Sequence, residues 1–160
     1  MTTREANVHE AQSWLGTPYH VGARVKGAGV DCATFLFAVY KECGLVPAEE
    51  EGVFTSDVQH PDWWAHTSEE KYMFRIIRHA HKVVEAISYA TLDAKPGNIV
   101  LSRAAGSRVY NHGAVVVRWP MVIHAVDPVV EVVDASTNWM WSFQTVAVFD
   151  PFEPLEKKQC

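Results

Sequence analysis

After the Pro96-Gly97 turn the chain stops repeating at helical intervals and becomes a series of short β-branched segments. This change of period constrains the fold more than any other feature. Ile99–Leu101, His112–Arg118, Met121–Val126, Val129–Val133 and Thr145–Phe149 read as strands separated by turn residues. Upstream, Phe35, Leu36, Val39 and Tyr40 recur with helical spacing. They predict a helix from Asp31, a good N-cap residue, to about Cys43, with Gly44 as its stop. A shorter helix over 5–15 offers Ala6, Ala11, Trp14 and Leu15 for burial and stops at Gly16. Helices first and an antiparallel meander afterwards make an α+β domain, with N-terminal helices packed on an antiparallel sheet.

The stretch between these halves is less regular. Residues 45–66, with Pro47, Glu49-Glu50-Glu51 and Trp63-Trp64, read as a loop with at most one helical turn. Thr67-Ser68-Glu69-Glu70 has capping-box spacing and predicts a helix to about His79, and the pattern over 80–90 leaves its continuation open. A chain of 160 residues can bury one core without staples. We therefore expect a single domain over 1–155, an insertion at about 48–90 and a polar tail at 156–160. The insertion is the candidate lid or docking surface.

Composition removes several classes of function. The net charge of −5 and the lack of a dense Lys/Arg run argue against nucleic-acid binding. No apolar run is long enough to cross a bilayer, and Met1–Asn7 lacks the apolar core of a secretory signal. The expectation is a chain made in the cytoplasm that leaves, if at all, by a route needing no signal. The cysteines, Cys32, Cys43 and Cys160, are odd in number and match no zinc spacing, so neither a disulfide framework nor a metal or other cofactor is expected. Cys43 reads as a small buried apolar residue and Cys160 as part of the tail.

Cys32 is different. Gly16-Thr17-Pro18-Tyr19 and Gly27-Ala28-Gly29 lead into Asp31-Cys32, which puts a thiol on the first turn of a helix. Unpaired N–H groups and the helix dipole favour a thiolate there. Such a nucleophile needs a base, and the base an orienting partner. Two of the eight histidines lie in strand segments, His112 and His124, with Trp119-Pro120 as the turn between them. If paired residue numbers sum to an even value such as 238, the two rings share a face as diagonal neighbours. An odd sum would separate them. Gly113 beside His112 suits close approach of a helix end or a substrate.

These residues, in this order, resemble the NlpC/P60 cysteine peptidases of bacterial cell-wall turnover. The resemblance rests on Gly16–Tyr19, Gly27–Gly29, Asp31-Cys32, Pro96-Gly97-Asn98, His112-Gly113 and Ile123-His124-Ala125. It covers most of the chain outside residues 48–90 and the last dozen. It implies a papain-like fold, Cys32 as nucleophile, His112 as general base and His124 as the residue that orients it. Tyr19 and the backbone N–H of Cys32 would stabilise the oxyanion, with Asp31 and Gly113 among the substrate-contacting residues. The implied reaction is hydrolysis of a peptidoglycan stem-peptide amide, usually after γ-D-glutamyl and before a diamino acid. Ala33-Thr34 replaces a Ser-Gly pair, which would narrow the cleft; Asn98 stands where Asp is common; and His20-Val21 replaces the usual aromatic. The loop style is similar to compact enzymes encoded with bacteriophage tail genes, which implies a virion setting with tail proteins as partners.

Bland readings compete for the remaining residues. His79 and His81 read as surface histidines, His20 as a solvated loop residue, and Trp139 and Trp141 as core or rim packing rather than a sugar platform. Two other functions stay open: a papain-like amidase or acyltransferase with a substrate outside the cell wall, and a structural tail-tip subunit.

Overall fold

The computed structural model describes residues 3–47, 76–88, 92–103, 110–142 and 145–153. The expected loop and helix over 48–75, the glutamate triplet, Trp63-Trp64 and Cys160 lie outside the described residues.

The chain opens with α1 (Arg4–Gln12), capped by the Thr3 side chain, which accepts from the Ala6 N–H. Two short paired strands follow, β1 (Arg24–Val25) and β2 (Gly29–Val30), and then α2 (Cys32–Glu42). α2 is apolar on nearly all sides: Phe35, Leu36, Phe37, Val39 and Tyr40 are each fully buried. Burial of each such side chain contributes about 1.5–3 kcal/mol, which makes α2 the central helix rather than a surface one. Its far end is tied by the Tyr40 hydroxyl, which donates to the Gly97 carbonyl at 2.8 Å. Gly97 has φ +80°, and a Cβ there would meet the Phe152 ring at 2.7 Å, so this turn requires glycine.

The second half forms a six-stranded antiparallel sheet in the order β3-β8-β4-β5-β6-β7. Its strands are β3 (His81–Ser88), β4 (Ile99–Ser102), β5 (His112–Arg118), β6 (Met121–Val126), β7 (Val129–Asp134) and β8 (Thr145–Asp150), with the one-turn helix α3 (Trp139–Ser142) between β7 and β8. β4 to β7 form the expected meander, and β8 returns to the other side of β4. The unassigned stretch 80–90 holds β3, an edge strand paired to β8. That part of the expected insertion belongs to the sheet.

Alternation along the strands sorts the core into two layers. Ile99, Leu101, Val115, Ile123 and Ala125 pack with α1 and α2. Val100, Ala114, Val116, Val122, Val146 and Val148 pack with Met140 and Trp141 of α3 on the opposite face. Among the described residues no helix is long and apolar enough to cross a membrane.

Candidate active site

The β5–β6 register answers the question the sequence left conditional. Val115 pairs with Ile123 and Val116 with Val122, pairs that sum to 238, before a shift near the turn. His112 and His124 therefore share a face, the one that carries Trp141. Their rings meet edge to face with centroids 5.0 Å apart. His112 Nε2 lies 2.8 Å from His124 Nδ1.

Cys32 approaches from α2. It is the first helical residue, with Asp31 as N-cap in an extended conformation. Its Sγ lies 3.7 Å from the carbonyl oxygen of Asn111, the residue before His112. The helix end thus delivers the thiol to the start of β5. His112 Nε2 is turned toward His124, and Nδ1 is its other ring nitrogen.

Both rings are buried, and burial disfavours a charged imidazole. Burial, and then the second imidazole beside it, hold His112 well below the usual histidine value. His124 is also lowered by burial, although Glu131 pulls the other way through a hydrogen bond and its charge. The resting pair is therefore neutral, and a neutral imidazole can accept a proton.

The loop before Cys32 is laced to both neighbours. Gly16 N–H donates to the Val130 carbonyl, Val130 N–H to the Thr17 carbonyl and Tyr19 N–H to the Pro128 carbonyl, all within 2.9–3.0 Å. Tyr19 also bridges to Val30, and its half-buried side chain packs on the α2 side of the core. A Cβ on Gly29 would stand 3.0 Å from the Ala23 Cβ and 3.1 Å from that of His20, so glycine lets the loop close on itself.

Asp31 has a structural task here. One carboxylate oxygen accepts from Gly22 N–H at 2.7 Å, and the other accepts from Thr34 N–H at 2.8 Å. The Thr34 hydroxyl completes a capping box: it accepts from Asp31 N–H at 3.0 Å and lies 2.7 Å from the Ala23 carbonyl. The cleft expected to narrow at Ala33-Thr34 instead has Thr34 buried and turned into the loop. Gly113 is buried in β5 opposite Leu101. Asn98 closes the turn before β4, where its Oδ1 accepts from Lys95 N–H at 2.9 Å.

Two residues of the site escaped the sequence reading. Glu131, directly across β6–β7 from His124, places Oε1 3.1 Å from His124 Nε2. A lone acid inside Val129-Val130-Glu131-Val132-Val133 was the available signal. Trp141, fully buried, places its Nε1–H 3.3 Å from His124 Nδ1, and nothing local to α3 announces that contact. Trp139, in contrast, is 64% exposed. Cys43 is half-buried rather than buried, and burial pushes its thiol up. His81 begins β3 with Nε2 3.4 Å from a Glu153 carboxylate oxygen, and His20 is an exposed loop residue. Among the described residues no three His, Cys, Asp or Glu side chains gather as metal ligands.

A central helix whose first residue is a cysteine, set against a sheet that carries paired histidines, defines an α+β domain of the NlpC/P60 architecture. Solved structures share it. The NlpC/p60 domain of the peptidoglycan hydrolase SagA superposes with a TM-score of 0.55 at 23% identity, over 91% of this chain and 97% of that one. An NlpC/P60 family protein from Bacillus cereus gives 0.61 at 17% identity over 92% of this chain, which spans only 40% of that protein. An N-acetylmuramoyl-L-alanine amidase from Bacteroides uniformis gives 0.59 at 12% identity, over 92% and 98% of the two chains. No protein-family model and no curated protein matches the sequence.

Proposed function

We propose that this chain is a cysteine endopeptidase that hydrolyses an amide bond of peptidoglycan stem peptides, between γ-D-glutamyl and a diamino acid. The observation that carries this reading is the Cys32 sulfur 3.7 Å from the carbonyl oxygen of Asn111, the residue before His112, whose Nε2 lies 2.8 Å from His124. Cell-wall substrates are favoured by the peptidoglycan hydrolase SagA and the Bacteroides uniformis N-acetylmuramoyl-L-alanine amidase, which share the fold.

In this mechanism His112 Nδ1 takes the Cys32 proton as Sγ attacks the scissile carbonyl carbon. The oxyanion is met by the Cys32 backbone N–H, at the N-terminal end of the helix where the dipole favours negative charge, and by the Tyr19 hydroxyl. Collapse breaks the C–N bond, and imidazolium Nδ1–H passes its proton to the leaving amine, leaving a thioester. Water then attacks the thioester with His112 as base, which releases the carboxylate and restores the thiol. Asp31 acts on the site indirectly, through the loop that carries Tyr19.

The setting we propose is a bacteriophage tail, supported by the loop Tyr19-His20-Val21-Gly22 and Val25-Lys26-Gly27-Ala28-Gly29-Val30-Asp31-Cys32. Mass analysis of fragments from purified cell walls tests the chemistry. New γ-D-glutamyl carboxylates and diamino-acid amines should appear with the wild type and not with Cys32→Ala. Unchanged walls would direct the search to another amide or ester. Detection of the chain in purified tail particles tests the setting.

A further inference from the structure

The two residues that the sequence reading missed act on the same ring. His124 Nδ1 faces both His112 Nε2, at 2.8 Å, and the Trp141 indole Nε1, at 3.3 Å. An indole N–H can only donate, so Nδ1 of His124 must accept and carries no proton. On the other side, Nε2 of His124 lies 3.1 Å from Glu131 Oε1, and an ionised carboxylate can only accept. His124 Nε2 must therefore carry the proton. Both flanks demand the same tautomer.

The consequence passes to the next ring. With His124 Nδ1 unprotonated, His112 Nε2 must be the donor between the two imidazoles, sharing the single Nδ1 lone pair with the Trp141 N–H in a three-centre bond, and His112 Nδ1 is left with a lone pair. The opposite order would place the neutral ring's proton on Nδ1, where it could take nothing from a thiol. In both orders the histidine pair has the same number of protons and nearly the same shape. Only the direction of donation decides whether His112 can act as a base.

We propose that Trp141 and Glu131 are positioning residues that together fix this direction, holding His124 as the Nε2–H tautomer so that His112 presents an unprotonated Nδ1 toward Cys32. The proposal deepens the cysteine-peptidase reading and rests on it for its catalytic meaning. Its structural content concerns the rings alone. Trp141 is suited to the task because it is fully buried and packs at a tilt against both imidazoles, with centroids 5.4 Å from His112 and 6.1 Å from His124. Water cannot readily replace its donor. Glu131 is about 41% exposed on its side chain, so its hold is the looser of the two.

The test is long-range 1H–15N spectroscopy of the histidine rings, joined to the rate of Cys32 alkylation by iodoacetamide at fixed neutral pH. Neither needs a cell-wall substrate, so failure of this proposal and failure of the peptidoglycan assignment can be told apart. In the wild type, His124 should show a protonated Nε2 and a bare Nδ1, and His112 the same. Trp141→Phe keeps the ring and deletes the donor, and Glu131→Gln supplies an amide that can either donate or accept. Each single variant should slow alkylation by about threefold to tenfold, the effect of one lost hydrogen bond. The double variant should show mixed tautomers and a loss larger than the product of the singles, because either contact alone can still hold the tautomer and only their joint loss releases it. A wild-type His124 protonated on Nδ1 would overturn the proposal, and that measurement survives even if a variant does not fold. Unchanged tautomers and alkylation in a folded double variant would overturn it equally.

Discussion

The Cys32 side chain is nearly buried, and alanine fits its space with the loss of one sulfur. Cys32→Ala should abolish hydrolysis while costing about 1 kcal/mol of stability, a midpoint shift of about 2–4 °C. Hydrolysis surviving in the purified variant would remove the sulfur from the reaction. His112→Ala should be equally inactive. His124→Gln should lose about 10–100-fold in kcat/KM, because an amide oxygen can still accept from His112 Nε2 while the link to Glu131 is weakened. The pH dependence follows from burial. His112 must be neutral to act, and burial with His124 beside it holds its pKa below the usual value near 6.5. The acid limb of kcat/KM should therefore lie below pH 6.5. Stability has the same sign: the unfolded chain takes up these protons at about pH 6.5 and the folded chain resists, so this contribution is full above that pH and is lost as pH falls below it. Urea midpoints from pH 8 to 5, compared between wild type and His112→Ala, would show it. An acid limb above pH 6.5 would point to a resting imidazolium instead.

The N-terminus of α2 shows how residues beside the nucleophile, Asp31 and Thr34, serve the chemistry without touching substrate. Its start was legible, since Asp31 is a strong cap and the apolar spacing after it is helical. What Thr34 does was not: a hydroxyl three residues into a helix reads as a small departure until Ala23 is known to lie against it. Thr34→Val keeps the shape and deletes the hydroxyl, which leaves Asp31 N–H and the Ala23 carbonyl without this partner. The expected cost is about 1–3 kcal/mol. Calorimetry should find it, and kcat should fall as the Tyr19 loop loosens while the wild-type acid limb stays in place. A stable but slow variant with a displaced acid limb would instead place Thr34 in contact with the reacting groups. The strands show the same division. β5 and β6 could be bounded from valine-rich runs and a turn, and the histidine register followed by arithmetic. β3 could not, because His81–Ser88 becomes a strand only by pairing with β8, more than fifty residues away in sequence. Glu131 lay in plain view on an expected strand, but its meaning depended on which residue β6 set opposite.

The two halves of the chain, helical and sheet-forming, are joined at the end of the molecule away from the sulfur by a contact between residues at its extremes. Arg4 of α1 donates to the Asp150 carboxylate of β8 at 2.7 Å and to the Pro96 carbonyl at 3.1 Å, with its guanidinium 4.8 Å above the Phe152 ring. No local pattern could have announced this, since 146 residues separate the pair. Burial alone would raise the Asp150 carboxyl. The Arg4 hydrogen bond and charge, with Phe152 N–H and Asn98, more than offset that and hold it below its ordinary value. Arg4→Ala would leave an ionised carboxylate, only 4% exposed on its side chain, without its cation. Breaking such a pair costs about 3–5 kcal/mol when both partners are fully buried. Arg4 is 19% exposed, so about 2–3 kcal/mol is expected here. The wild-type contribution should be full above about pH 4 and be lost as pH falls through the lowered Asp150 value, because protonation removes the charge that Arg4 binds. Arg4→Ala should therefore unfold earlier in urea at pH 7, with a gap to the wild type that closes in acid. Below its own midpoint it should alkylate at Cys32 as fast as the wild type, because the site is built from α2, β5, β6, β7, α3 and the Tyr19 loop, and none of these contains the lost pair. An equal gap at all pH values would show that Arg4 contributes through its packing on Phe152 rather than through its charge. Slowed alkylation in the folded variant would show that the β8 end of the sheet and the Cys32 end of α2 are mechanically coupled.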